Sequence, residues 1–159
     1  MLIIDDLSVC FSPEMDCAAF ITDKIGRATA TLTVAAYNFT ERRIVAAIVA
    51  AHQRGVAVTV KLDKISPCQK GAGAAALLDA GVPTFIDGKV KIAHDKVIII
   101  DSAAVIFGSF NFSAAAGKNA EDTVFLERPD AAQAFEAHIQ RRLAASVPYT
   151  KREAFCRTG

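Results

Sequence analysis

Nothing in this 159-residue chain approaches the roughly 18 to 20 uninterrupted apolar residues needed to span a bilayer. Hydrophobic residues make up 52% of it and its mean hydropathy is +0.30, but alanine supplies much of both. No stable membrane insertion is therefore expected. Met1-Leu2-Ile3-Ile4-Asp5-Asp6 lacks the basic start and long apolar middle of a signal peptide. Two origins remain open: a cytoplasmic protein, or a mature form whose leader has been replaced by Met1. Neither charge dominates, with 18 Lys and Arg against 17 Asp and Glu, so any polyanion would have to be held by local positive charge. Cys10, Cys17, Cys68 and Cys156 have neither paired C-x-x-C spacing nor adjacent histidines, which argues against zinc. If exported, they allow three disulfide connectivities; if cytosolic, four free thiols. No linker, low-complexity tract or internal repeat interrupts the chain. Its length suits one domain, residues 1–159, with a well-buried core.

What is present alternates between strand-like and helix-like patterns. Ser12 reads as an N-cap, with Pro13 in the first turn of a helix running to about Ile25 and stopped by Gly26. Thr31 to Tyr37 reads as a strand. Thr40 then caps a helix whose apolar face is Ile44, Val45, Ile48 and Val49 and which ends at Gly55. Val56 to Leu62 is a strand, Ser66 to Gly71 a loop, and an Ala-rich helix stops at Gly81. Pro83 to Ile86 suits a short strand and Asp87-Gly88 a hairpin turn. A β-branched strand, Val97 to Ile100, turns near Ser102-Ala103 and returns as Val105 to Gly108. Asn119 to Glu127 gives another strand and Pro129 to about Leu143 an amphipathic helix. The expected fold class is α/β: a mixed β-sheet flanked by helices on both faces.

Chemistry concentrates in His94-Asp95-Lys96-Val97-Ile98-Ile99-Ile100-Asp101 and in Gly108-Ser109-Phe110-Asn111-Phe112-Ser113. Side chains alternate along a strand, so His94 and Lys96 share a side if the strand reaches back to His94. Ser109 and Asn111 share a side by the same rule. A proton carrier, a fixed cation and two neutral donors could then converge on one phosphate. Asp101 lies an odd number of residues from Lys96 and is better placed to hold backbone than to attack a substrate.

His-x-Lys-x4-Asp followed by Gly-Ser-x-Asn-Phe resembles the signature of the phospholipase D superfamily, and the chain is similar to that family's small bacterial endonucleases. Tyr37-Asn38-Phe39-Thr40, Gly55-Val56-Ala57-Val58, Gly81-Val82-Pro83 and Asn119-Ala120-Glu121-Asp122 look like family landmarks in family order. The similarity covers roughly Phe11 to Arg142. Related small nucleases are often exported, which favours a periplasmic or secreted form over a cytoplasmic one.

The resemblance implies a phospholipase D-like single domain and a role for each residue. His94 would attack phosphorus and form a phosphohistidine. Lys96 would hold a non-bridging oxygen as a point charge. Ser109 and Asn111 would donate to the same oxygens, and Glu121 would hydrogen-bond the imidazole. Asp101 would support the motif structurally.

Two-step chemistry of this kind uses two histidines, and neither His52 nor His138 begins a His-x-Lys. A two-fold homodimer that brings His94 of each chain together is therefore expected. Asp95 should point away from His94 and Lys96, and Glu121 is committed, so no carboxylate set is left to bridge metal ions. No cofactor or metal is expected, and activity should survive a chelator. Nucleic acid, DNA ahead of RNA, is the expected substrate, cut with little sequence preference because no sequence-reading module is recognisable. Lys89, Lys91 and Lys70 are candidate phosphate contacts, with Lys61 and Lys64 grouped near Lys70. Phospholipid hydrolysis is the first rival; Leu2-Ile3-Ile4 is its only weak docking candidate. A catalytically silent nucleic-acid-binding dimer is the second.

Overall fold

In the computed structural model, residues 2–156 are described. Among them, nine strands form one mixed sheet in the order β1-β2-β8-β7-β6-β3-β4-β5-β9. The strands are β1 (Leu2–Ile4), β2 (Leu7–Ser12), β3 (Thr31–Ala36), β4 (Ala57–Asp63), β5 (Thr84–Asp87), β6 (Lys96–Ile100), β7 (Ala104–Gly108), β8 (Glu121–Leu126) and β9 (Val147–Pro148). Helices α1 (Cys17–Ile25), α2 (Arg42–Gln53), α3 (Ala74–Asp79) and α4 (Pro129–Ala144) connect or follow them. β3, β4 and β5 run parallel, joined through α2 and α3, as parallel pairing requires a crossover. β6 lies antiparallel to β3, and β6, β7 and β8 form a meander.

Strand alternation divides the core between two faces. Leu32, Val34, Ile98 and Ile100 point into the larger cluster, with Ile21 and Ile25 of α1, Ile44 and Ile48 of α2 and Leu77 of α3. Ala35, Val97, Ile99 and Val105 point to the opposite face, where α4 covers them with Ala132 and Ile139. Both faces are thus roofed by helices, as expected. The sheet continues past both ends of the Phe11–Arg142 stretch through β1 and β9.

Local details depart from the sequence reading where tertiary partners intervene. Ser12 ends β2 instead of capping a helix; its hydroxyl donates to the carbonyls of Ala116 and Asn119 at 3.2 and 2.8 Å. The Ser12–Pro13 bond is cis, and α1 is capped by Asp16, which accepts from the Ala19 N–H. Glu41, not Thr40, caps α2. Asp87-Gly88 makes no hairpin. The flanks of β5 are taken by β4 and β9, and the chain beyond Gly88 travels past β4 and β3 to start β6. Leu2-Ile3-Ile4 forms an edge strand against β2. The cysteines pair as Cys10–Cys17 and Cys68–Cys156, the second fastening the C-terminal segment to the loop after β4.

Candidate active site

The motif begins where β6 begins. Lys96 is its first residue, while His94 lies just outside, in the irregular segment that leads to it. Lys96 is buried, at 8% exposure, and its Nζ donates to the His94 carbonyl at 2.8 Å. Burial pushes the ammonium below the ordinary lysine value, partly opposed by the negative charges of Asp95 and Glu121. His94 itself is exposed.

Tyr37 joins the two. Its ring meets the imidazole edge-on, with centroids 4.7 Å apart, and lies 5.6 Å from the Lys96 ammonium. Although the strand stops short of His94, alternation persists: His94 and Lys96 meet Tyr37, while Asp95 turns to the α4 face and pairs with Lys61. In the sequence Tyr37 stands out as a landmark, not as a site residue. Its place depends on the register of β3 against β6, where Ala36 pairs with Lys96.

Ser109 and Asn111 follow β7 at the same end of the sheet. Gly108, the last residue of that strand, has to be glycine, because a Cβ there would sit 2.2 Å from the Asp122 carbonyl, at a φ of +148°. This close approach seats Ser109, whose N–H donates to the Asp122 carbonyl and whose Oγ accepts from the Asp122 N–H, both at 3.0 Å. The Ser109 hydroxyl also donates to Glu121 Oε2, and Asn119 Nδ2 donates to Glu121 Oε1 at 3.3 Å. Glu121 is therefore engaged with Ser109 and Asn119, and its charge reaches Lys96; the His94 ring packs on Tyr37.

Asn111 is held between two buried phenylalanines, Phe110 and Phe112. The Phe112 carbonyl accepts from both Thr40 and Glu41 at 2.9 Å, which ties this loop to the start of α2. Asn111 Oδ1 is buried without a hydrogen-bond partner among the described residues. Left unsatisfied, a buried acceptor of this kind costs about 1–3 kcal/mol.

Asp101 sits at the far end of β6. Its carboxylate accepts from the backbone N–H groups of Thr29, Ala30 and Thr31 and from the Thr29 hydroxyl, at 2.7–3.2 Å. Burial opposes its ionisation, but those N–H donors outweigh it and leave the carboxyl below the usual aspartate value. Lys89, Lys91, Lys64 and Lys70 are exposed and pair with no carboxylate among the described residues. Lys61 must be removed from any such surface group. It is fully buried, with Asp95 at 2.9 Å and Asp87 at 3.5 Å.

An exposed imidazole, a desolvated cation and neutral hydrogen-bonding groups at one sheet end suit a tetrahedral anion. Fold and site together define a phosphodiesterase of the α/β class. Similarity to known proteins narrows this. The family model described as "Cardiolipin synthase, PLD-like domain" matches residues 21–143. A phospholipase D of Rickettsia felis is 38% identical over 146 residues, which is 91% of this chain and 73% of that protein. The chain belongs to the phospholipase D superfamily and is a hydrolase of phosphodiester bonds. Among solved structures, the phospholipase D family member Nuc of Salmonella typhimurium superposes with a TM-score of 0.85 at 35% identity, covering 91% of this chain and 98% of that one. NucT of Helicobacter pylori gives 0.80 at 25% identity, covering 90% and 98%.

Proposed function

We propose that this protein is a metal-independent, non-specific endonuclease acting on DNA through a phosphohistidine on His94, with its active site completed by a second copy of the chain. The observation that carries the reading is the His94–Lys96–Tyr37 cluster, in a chain similar over nearly its whole length to Nuc and NucT.

In this scheme neutral His94 attacks phosphorus while Lys96 and Asn111 hold non-bridging oxygens. Their contribution grows as negative charge builds on those oxygens. Ser109 is the third candidate donor, oriented through Glu121. The P–O bond to the leaving alcohol breaks, and that oxygen takes a proton from an imidazolium. Water then attacks the phosphohistidine, gives a proton to the now neutral second imidazole, and the P–N bond breaks to free His94 and a phosphomonoester still carried by the other alcohol. One chain supplies one such histidine; His52 lies on α2, and His138 on α4 faces Asp95 at 3.8 Å on the other side of the sheet. A two-fold dimer supplies the second. Asp95 and Glu121 are held by Lys61, Ser109 and Asn119, so Lys96 does the charge neutralisation that a metal would do elsewhere. Lys89, Lys91 and Lys70 would position the strand through phosphates without reading bases.

Relatives named phospholipase D, and a family model described as cardiolipin synthase, favour lipid phosphodiesters as the second reading. The deciding assay is cleavage of plasmid and single-stranded DNA in excess EDTA by wild type and His94→Ala, run beside anionic lipid vesicles, with sedimentation to fix the oligomeric state. Cleavage of DNA by wild type alone, as a dimer, is expected. Turnover of lipid without DNA would replace the substrate, and DNA binding without turnover would leave a silent binding protein. A fully active monomer would remove the shared site.

A further inference from the structure

A buried lysine on the α4 face of the sheet is unexpected, because an unpaired ammonium cannot be kept charged there without partners. Lys61 of β4 has two. Its Nζ lies 2.9 Å from Asp95 Oδ2 and 3.5 Å from Asp87 Oδ2, and its side chain is fully buried. Asp87 does not need it: Arg142 of α4 already donates to both Asp87 oxygens, at 2.9 and 2.8 Å, and the Lys89 N–H donates at 3.2 Å. Lys61 makes its shorter contact to Asp95, the residue between His94 and Lys96.

The segment from Gly88 to Asp95 has no regular structure, and it carries His94 near its end. Two contacts to β4 hold that end. The Ala93 N–H donates to buried Asp63 at 2.6 Å, and the Asp95 carboxylate takes Lys61 at 2.9 Å. His94 lies between these anchors. His138 Nε2, 3.8 Å from Asp95, and Arg142 are the other ionisable groups that α4 presents to this cluster.

We propose that Lys61 is a positioning residue for the reaction: by gripping Asp95 it fixes the peptide that carries His94 and keeps the neighbouring carboxylate away from the phosphate held at Lys96. The inference rests on the reading of His94 as nucleophile. It gives the buried ammonium a task that neutralising Asp87 does not require. Loss of the grip frees both the His94 backbone and a negative charge on the residue next to the anion-binding lysine. Misplacement of a reacting group by about 1 Å can cost up to roughly 100-fold in rate.

The test uses the full oxidised protein, with bis(p-nitrophenyl) phosphate as a phosphodiester independent of any nucleic-acid surface. Lys61→Met, Asp95→Asn and the double variant are compared with wild type for kcat, KM, the pH profile of kcat and Tm, with His94→Ala as baseline. Each single variant should lose roughly 10–100-fold in kcat with little change in KM. The double variant should fall no further than the worse single one, because both changes break the same ion pair. In Lys61→Met the released Asp95 carboxylate favours the imidazolium, so the acidic limb of the profile should move to higher pH and return when Asp95→Asn is added. A purely structural lysine would lower Tm and leave kcat and the profile of the folded enzyme unchanged, and that result overturns the proposal. So do losses that multiply in the double variant. If Lys61→Met does not fold, Asp95→Asn decides alone, and wild-type kcat in that variant is refutation. Activity surviving in His94→Ala would instead defeat the reading of His94 and take the positioning role with it.

Discussion

Replacing Asp101 separates a structural member of the motif from its chemical members. Its carboxylate collects three consecutive backbone N–H groups and one hydroxyl from the turn before β3. It does so about five strand residues, roughly 16 Å, from Lys96. Asparagine is the informative substitution, because Asp101 has a φ of +54° and asparagine tolerates that left-handed conformation. Asp101→Asn keeps one carbonyl acceptor, loses the charge and turns an amide donor towards backbone donors. Charge-assisted bonds of this kind are worth about 1.5–3 kcal/mol each when sheltered. Thr29 and Ala30 are exposed, so water replaces part of the loss and the net cost should be about 1–2 kcal/mol. For a chain of this size that lowers Tm by about 2–8 °C.

The pH dependence of that loss has a definite sign. The folded-state pKa of Asp101 is depressed, so its stabilisation is present above the unfolded aspartate value of about 3.9 and is lost as pH falls through the lower folded value. The Tm gap between wild type and Asp101→Asn should be full at pH 7, shrink below about pH 4 and close in stronger acid. Calorimetry across pH measures it, and kcat at a temperature where both are folded should agree within about two-fold. An Asn variant with wild-type Tm, or one that stays folded while losing about 100-fold in kcat, would refute the assignment of Asp101 to the fold alone.

Four further outcomes follow from named residues. Because burial lowers the Lys96 pKa, the activity that depends on its ammonium should fall on the alkaline side at a pH below that of an ordinary lysine; a limb at the ordinary value would place Lys96 in water. Lys96→Met should remove activity without unfolding the protein, and circular dichroism beside the DNA assay checks both halves. Converting Lys89 and Lys91 to alanine should weaken DNA binding and flatten its logarithmic salt dependence by roughly 0.7–0.9 for each phosphate no longer neutralised; an unchanged slope would take them off the binding surface. Opening Cys68–Cys156, which spans 88 residues, should cost up to about 4–5 kcal/mol by chain entropy, against about 2.5 kcal/mol for Cys10–Cys17, which spans 7; denaturant titration of the two Cys→Ser pairs checks the order.

Most of the fold is legible where a local pattern and its tertiary fate coincide. The β-branched run of β6, the apolar face of α2 and the long helix after Pro129 each have one good way to be buried. The strands β1 and β2 are not legible in the same way, because a short apolar start has meaning only once β8 is there to pair with it. Asp87-Gly88 carries a genuine turn signal, but Arg142 holds the aspartate inside the protein, and β9 fills the flank that a hairpin partner would have taken.

By itself the sequence determined the order of strands and helices from α1 to α4 and the spacing of His94, Lys96, Asp101, Ser109 and Asn111, because strand and helix periodicity are local properties of the backbone. Through resemblance it also indicated the family. Only the tertiary structure decided that Tyr37 touches both His94 and Lys96, that Glu121 is engaged by Ser109 and Asn119, and that the cysteines join as Cys10–Cys17 and Cys68–Cys156. It also moved Lys61 from a supposed surface group to a buried anchor under α4. Those facts depend on strand register and on which segments meet across the sheet, and residues so far apart in the chain leave no local pattern that records their meeting.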